Sequence, residues 1–256
     1  MPPLDPTQRF SDRVADYLRY RPSYPSALLD HLQEQTALAP DSRIADIGSG
    51  TGKLTELLIA RGWDVYAVEP NRPMQMAAEA LLKQSPNFHS IPGTAAATTL
   101  PARTIDLITV AQAFHWFDPA AFRSEAQRIL QPSGQAAIIY NSRRLTPGFM
   151  LRYHELMVEQ IPGYHYTRKH EDVRQALVHF FGHEHFTEAT FPYHQTFDWP
   201  GLEGRLRSAS YCPKPDHPGY SPLMAQLRQL FDSFAIEGHI TYTMDNVVYL
   251  GPVLAS

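Results

Sequence analysis

Between residues 43 and 141 the chain alternates short apolar runs with longer amphipathic ones, and that alternation leaves few folds open. Residues 43–47 read as a buried strand, followed by the run Gly48-Ser49-Gly50-Thr51-Gly52 and a helix over 54–61. Further strands are expected at 64–69, 88–91, 105–111 and 135–141, with helices at 72–84 and 118–130. Asp118 stands where a helix cap belongs, and Pro119 occupies the first helical position, where a missing N–H costs nothing. Pro132-Ser133-Gly134 is expected to turn the chain before the fifth strand. Strands recurring at this pitch with helices between them predict an α/β protein, a doubly wound parallel sheet covered on both faces.

The flanks are less regular. Residues 7–19 carry Phe10, Val14, Tyr17 and Leu18 at helical spacing, and the prolines of Tyr20-Arg21-Pro22-Ser23-Tyr24-Pro25 then break the helix. A second helix opens at Pro25-Ser26 and runs through Leu28, Leu29 and Leu32. Past residue 148, helices are expected at 151–160, 171–180, 202–209 and 223–234, and strands at 186–197 and 240–250. The four prolines of 213–222 predict a loop. The two late strands should complete the sheet, and the late helices should form a cap. Three parts follow: an N-terminal helical segment over 1–36, a sheet domain over 37–148, and cap helices with the last strands over 149–256.

Composition narrows the partners. With 43% hydrophobic residues among 256, the chain can bury a large core. The formal net charge is −4 and no run of Lys or Arg stands out, which argues against nucleic acid and against anionic membranes. No stretch approaches the ~18 consecutive apolar residues of a membrane span, and the start lacks the basic and apolar regions of a secretory signal, so the cytoplasm is the expected location. Cys212 is the one cysteine, which excludes an internal disulfide and a multi-cysteine metal site; beside Pro213 it reads as an inert loop thiol. His183-Glu184-His185, His165 and His170 lack the spacing of a zinc-binding helix, so no metal is expected.

The glycine run carries the chemistry. Glycines between a strand and a helix permit a sharp turn and a close approach of ligand to backbone. The helix that follows presents free N–H groups and the positive end of its dipole. Glu69 ends the second strand, 23 residues after Asp46, where an acidic side chain can accept both hydroxyls of a ribose. A dinucleotide site would place its third glycine where this chain has Lys53, which argues against a nicotinamide or flavin dinucleotide.

These residues resemble a known family. Asp46 through Gly52 resembles the first motif of class I S-adenosylmethionine-dependent methyltransferases, and Glu69-Pro70-Asn71 resembles their acidic ribose-binding turn. Gly93-Thr94-Ala95 is similar to the loop that lies against the adenine. Many relatives have an acid there; here Thr94-Ala95-Ala96-Ala97 leaves the adenine amine to a backbone carbonyl or to Thr94. Gln112-Ala113-Phe114-His115-Trp116-Phe117 looks like the signature of small-molecule methyltransferases that include the trans-aconitate methyltransferase group. The segments 20–25 and 202–211 are similar to the N-terminal and cap regions of the same relatives. The resemblance implies a seven-stranded, mostly parallel Rossmann-like sheet with a helical cap, and S-adenosylmethionine as cofactor. It implies cofactor contacts from Tyr20, Arg21, Asp46, Gly48, Ser49, Gly50, Thr51, Gly52, Glu69, Pro70, Met74, Thr94, Ala95 and Gln112. Met74 is the better candidate of the pair Met74 and Met76, both of which also read as core.

In open parallel sheets ligands bind at the C-terminal strand edge, so His115 and Trp116, just past the fourth strand, are the expected catalytic pair. His115 would orient the acceptor or take its proton, and Trp116 would wall the pocket or face the cationic sulfonium. A small-molecule acceptor is expected, with a carboxylate among the candidates; an ionised carboxylate needs no base. Arg143 and Arg144 read as a solvated loop pair, with an acidic substrate as their alternative role. Two other readings stay open: an NAD-dependent oxidoreductase on a similar sheet, and a protein that binds S-adenosylmethionine without transferring methyl.

Overall fold

The computed structural model describes Tyr20, residues 22–162, Tyr164, residues 170–209 and residues 211–254. The helix expected over 7–19, Arg21 and His165 lie outside the described residues. In chain order the elements are α1 (Ser26–Thr36), β1 (Arg43–Ile47), α2 (Lys53–Ala60), β2 (Asp64–Val68), α3 (Arg72–Leu82), β3 (Phe88–Ile91) and β4 (Ile105–Ala111). A single 3-10 turn (Phe114–Trp116) leads into α4 (Pro119–Ile129), β5 (Leu130–Arg143), α5 (Phe149–Gln160) and α6 (His170–Phe181). The chain closes with β6 (Thr187–Phe197), α7 (Trp199–Arg207), α8 (Tyr220–Phe234) and β7 (Ile240–Gly251).

The seven strands form one sheet in the order β3-β2-β1-β4-β5-β7-β6. All neighbours are parallel except at β7, which runs antiparallel to both β5 and β6. The order reverses between β1 and β4, so the chain's two windings part there. Strand alternation explains why the sheet is buried on both faces. In β5, Ala136 and Ile138 join one core with Phe122, Ile129, Phe180 and Phe181, while Ala137 and Ile139 join the opposite core with Leu28, Leu32, Leu58 and Trp63. A third apolar cluster, with Phe149, Tyr153, Met157, Leu202, Leu206, Leu227 and Phe231, packs α5, α7 and α8 onto Ile240, Tyr242 and Met244 at the start of β7.

Two proline-based expectations need correction. Pro132-Ser133-Gly134 does not turn the chain; it lies within β5, where the pairing with β4 shifts register between Ile105 and Leu107. Gly134 suits this irregular stretch of pairing, where a Cβ would come within 3.0 Å of the Ile105 carbonyl oxygen. Pro222 belongs to α8 rather than to the preceding loop, because the first turn of a helix has no partner for its N–H groups. The expected Asp118 cap is present, its carboxylate accepting from the Ala121 N–H at 2.8 Å. Met76, read as core, is exposed, whereas Cys212 is buried in the third cluster.

Glu125 on α4 fixes the loop that follows β3. Its carboxylate accepts from the Thr98 N–H at 2.8 Å and the Thr98 hydroxyl at 2.5 Å, and both carboxylate oxygens take donors from Arg128 at 2.7 Å. Burial acts to raise its pKa, but the hydrogen bonds from Arg128 and Thr98 outweigh it and hold the carboxyl at about 2. A carboxyl held below its unfolded value of about 4.3 adds stability above that pH and loses it as the pH falls towards about 2. Glu125→Gln is therefore expected to cost about 1–3 kcal/mol in urea unfolding at pH 7. The gap to wild type should narrow below about pH 4; a gap that widens with acid would contradict this account.

Candidate functional site

The C-terminal ends of β1, β2 and β4 meet at the point where the sheet order reverses, and the glycine loop crosses it. The loop is held to β2, with the Gly48 and Ser49 N–H groups donating to the Val68 carbonyl at 2.8 and 3.2 Å. Gly48 and Gly50 have φ of +70° and +59°, a region that disfavours residues with a side chain. Gly48 is also a close-approach glycine, since a Cβ there would lie 2.6 Å from the Ala113 Cβ. A Cβ on Gly50 would instead face the open cleft, with the Met74 sulfur at 3.8 Å. Gly52 does not reach the cleft wall; it caps α2 and packs against Ala78 and Leu82 of α3.

Beneath the loop, Asp46 is 1% exposed and its two carboxylate oxygens accept from the Thr55 hydroxyl at 2.7 Å and the Thr109 hydroxyl at 3.0 Å. Register explains the second bond, because Asp46 and Thr109 are direct neighbours across β1 and β4. Burial raises the Asp46 pKa to about 6, against the opposing pull of the two threonines. Glu69 accepts from the Gly50 N–H and the Asn71 N–H, both at 2.8 Å, and burial pushes its pKa up as well. Asn71 in turn caps α3, accepting from the Met74 N–H at 3.1 Å.

Two adjoining cavities share Gly48, Ala111 and Gln112. The first, about 260 Å³, is walled by Gly50, Glu69, Pro70, Asn71, Met74, Thr94, Ala95, Ala96, Trp116 and Phe117. This is the outline of a nucleoside site: an acidic end for ribose hydroxyls and an apolar slot for a base. The Thr94 N–H and carbonyl both bond Ala97, at 3.1 Å each, which shapes the loop as a tight hairpin against the slot. The second, about 240 Å³, is lined by Asp46, Ser49, Thr51, Lys53, His115, Asn141, Arg143, Arg205, Tyr211 and Tyr242, with Pro22 and Tyr24 from the N-terminal segment.

At the junction, Gln112 has φ of +59° and donates its N–H to the Ile139 carbonyl at 2.9 Å. A non-glycine residue in this region marks strain held by its surroundings, a frequent feature of ligand sites. Among the described residues, the Gln112 Nε2 and the hydroxyls of Ser49 and Thr51 are buried without a hydrogen-bond partner. All three belong to residues that line the second cavity, where a polar ligand could complete them.

Of the residues singled out from sequence, Asp46, Gly48, Ser49, Gly50, Thr51, Glu69, Pro70, Met74, Thr94, Ala95, Gln112, His115 and Trp116 line these cavities. Tyr20 does not: its ring packs on α7, where a Cβ on Gly204 would overlap it at 2.1 Å. His115 and Trp116 part company, the histidine facing the polar chamber and the tryptophan the nucleoside slot. Arg143 is corrected from solvated loop to buried wall, because β5 extends two residues further than expected by pairing Arg143 with Met244 of β7. Arg144 points outward and pairs with Asp245. Sequence reasoning missed Asn141, Arg205, Tyr164, Tyr211 and Tyr242 in the chamber wall. The period of two from Ile139 through Asn141 to Arg143 was the available signal for the strand residues. Among the described residues no cluster of three His, Cys, Asp or Glu could hold a metal.

The model of a family described as "Methyltransferase domain" matches residues 45–138. An uncharacterized methyltransferase of Mycobacterium tuberculosis is 37% identical over 153 residues, which is 60% of each chain. This chain thus spans 60% of the length of the mycobacterial relative. An uncharacterized methyltransferase of Schizosaccharomyces pombe is 31% identical over 183 residues, 66% of this chain and 70% of that one. The solved structure of a putative type II methyltransferase from Anaeromyxobacter dehalogenans superposes with a TM-score of 0.68 at 22% identity, covering 93% of this chain and all of that one.

The placement of Trp116 yields a test. Its ring walls the nucleoside slot, so Trp116→Ala should weaken binding of S-adenosylhomocysteine by about tenfold or more, the worth of one large aromatic wall. Calorimetry checks this. Unchanged affinity with reduced turnover would return Trp116 to the catalytic role expected from sequence.

Proposed function

The chain belongs to the class I S-adenosylmethionine-dependent methyltransferase family, and we propose that it transfers a methyl group to a carboxylate of a small-molecule acceptor. The observation that carries this reading is the junction of the two cavities at Gln112, where a nucleoside-shaped slot opens into a polar chamber. When bound, S-adenosylmethionine supplies an electrophilic methyl on a sulfonium sulfur. The residues present fit it: Glu69 is preset by two backbone N–H groups to accept from ribose hydroxyls, and Met74, Ala95 and Trp116 flank the base slot. The unpartnered donors of Ser49, Thr51 and Gln112 suit the amino-acid end of that cofactor. Asp46 beneath them complements an ammonium group, and an ammonium beside it would favour the ionised carboxylate.

The protein's part in such a transfer is alignment and exclusion of water, which together can supply roughly 7–11 kcal/mol of a barrier. His115 stands on the chamber wall beside Trp116 and Tyr140, with ring centroids 4.7 and 6.5 Å away, where it orients an acceptor. A carboxylate oxygen is already a competent nucleophile at neutral pH, so no proton has to leave. The acceptor is small because the chamber is about 240 Å³. The net charge of −4 and a sequence in which no run of Lys or Arg stands out support a small molecule over nucleic acid, and the reading puts the enzyme in the cytoplasm. Among the described residues no helix is long and apolar enough to cross a membrane.

The test is transfer of a labelled methyl group from S-adenosylmethionine to a panel of small carboxylic acids, followed by mass spectrometry. A methyl ester product supports the reading, and no product across acids, amines and phenols overturns it. With a productive acid in hand, His115→Asn should lower kcat by less than about tenfold. A loss of about 10²–10⁴ that shrinks at low pH, where a histidine base is itself protonated, would make His115 a general base and the acceptor a protonated group.

A further inference from the structure

We propose that Arg143 and Arg205 form an anion clamp that selects the methyl acceptor by a carboxylate, with Tyr164 and Tyr211 as positioning residues for Arg143. The proposal rests on the reading of the polar chamber as the acceptor pocket. Both guanidinium groups line that chamber, and each arginine is only 8% exposed. They arrive from separate elements, Arg143 from the end of β5 and Arg205 from the last turn of α7.

Arg143 is set in a box of aromatic rings. Its guanidinium carbon lies 5.1 Å from the Tyr153 ring centre, 5.8 Å from Tyr164, 5.7 Å from Tyr211 and 6.0 Å from Tyr242. Its two terminal nitrogens donate to the hydroxyls of Tyr164 and Tyr211. Burial acts to lower its pKa, but the surrounding tyrosine oxygens outweigh it, so the group stays charged. Arg205 lies over the Tyr242 ring at 5.4 Å, and its buried Nε meets no acceptor among the described residues. The Tyr242 hydroxyl is buried without a partner as well.

Ring faces stabilise a cation but satisfy none of its N–H groups. The Arg205 Nε is such a buried donor, which costs about 1–3 kcal/mol or more while open, so this end of the pair favours a ligand that brings an acceptor atom and negative charge. Among the described residues the one acid that lines the chamber does not supply them, since Asp46 has both oxygens bonded to threonines. The chamber wall thus carries Arg, Arg and Tyr donors together with Gln112 and His115. A planar carboxylate matches the fork of a guanidinium, and the tyrosine rings offer flat apolar walls for the hydrocarbon part. A site built around buried donors rejects an analogue that lacks the carboxylate far more strongly than a greasy pocket would.

The experiment measures thermal shift and calorimetric binding on the full chain, loaded with S-adenosylhomocysteine. The probes are aliphatic and aromatic carboxylic acids from acetate to cinnamate, each beside its neutral primary amide. At least one acid should bind, with its amide about a hundredfold weaker. Arg143→Gln and Arg205→Gln should each weaken that acid by about ten- to a hundredfold, with S-adenosylhomocysteine affinity held within about twofold. Arg205→Lys should recover part of the loss, and Tyr211→Phe should raise the acid's Kd or KM without moving cofactor affinity. Equal binding of acids and amides, no acid bound, or a parallel loss of S-adenosylhomocysteine in the arginine variants would overturn the clamp. Should an arginine variant fail to fold, the acid–amide comparison on wild type decides alone. Failure of S-adenosylhomocysteine to bind at all would strike the cofactor reading instead, and the same acid–amide pairs on the unliganded chain would still judge the clamp.

Discussion

Asp46 ties three elements together where the sheet changes direction. From the end of β1 it takes hydroxyl donors from Thr55 on α2 and Thr109 on β4, in a setting that is 1% exposed. A carboxylate buried so deeply is costly unless its lone pairs are filled, and its pKa of about 6 records the part that remains uncompensated. What that cost secures is the position of the glycine loop above it. With β1, β4 and α2 pinned, Gly48 can approach Ala113 more closely than a residue with a side chain could. Glu69 then fastens the far side of the loop through the Gly50 N–H. Both cavities hang on this junction, and Gln112 is forced into a left-handed backbone to pass it.

The sheet was legible because its signals are local. Alternating apolar runs, the Asp118-Pro119 helix start and the glycine run each depend on a few adjacent residues, and six of the seven strands lie within a residue of where the pattern put them, β5 alone running longer at both ends. Two prolines misled for a shared reason: a proline excludes a conformation only where a backbone N–H is needed. Pro132 sits at a bulge and Pro222 in a first helical turn, where none is needed. Most of the cofactor cleft was readable from the same local runs, since the loop, Glu69 and the 94–95 segment lie at consecutive strand ends.

The polar chamber was not readable, because it is assembled from residues distant in sequence. Arg143 becomes a wall residue only through the pairing of β5 with β7, and Arg205 only through the seating of α7 against Tyr20 and Tyr242. A pair of adjacent arginines after a strand looks like a solvated turn; burial of one and exposure of the other follows from the strand's alternation once its true end is known. The separation of His115 from Trp116 has a similar origin. In a 3-10 turn successive side chains point about a third of a circle apart, so neighbours in sequence enter different cavities. The division of labour that results is simple: local motifs build the cleft at the glycine loop, and long-range packing builds the polar chamber proposed to take the acceptor.

The central claim is that the cleft at the glycine loop takes an adenosyl amino acid and not a dinucleotide. Parallel calorimetric titration of the full chain with S-adenosylmethionine, S-adenosylhomocysteine and NAD tests it most directly. The account predicts binding of both adenosyl ligands and no heat from NAD, because Lys53 stands where a dinucleotide loop requires its third glycine. Binding of NAD with neither adenosyl ligand would contradict it.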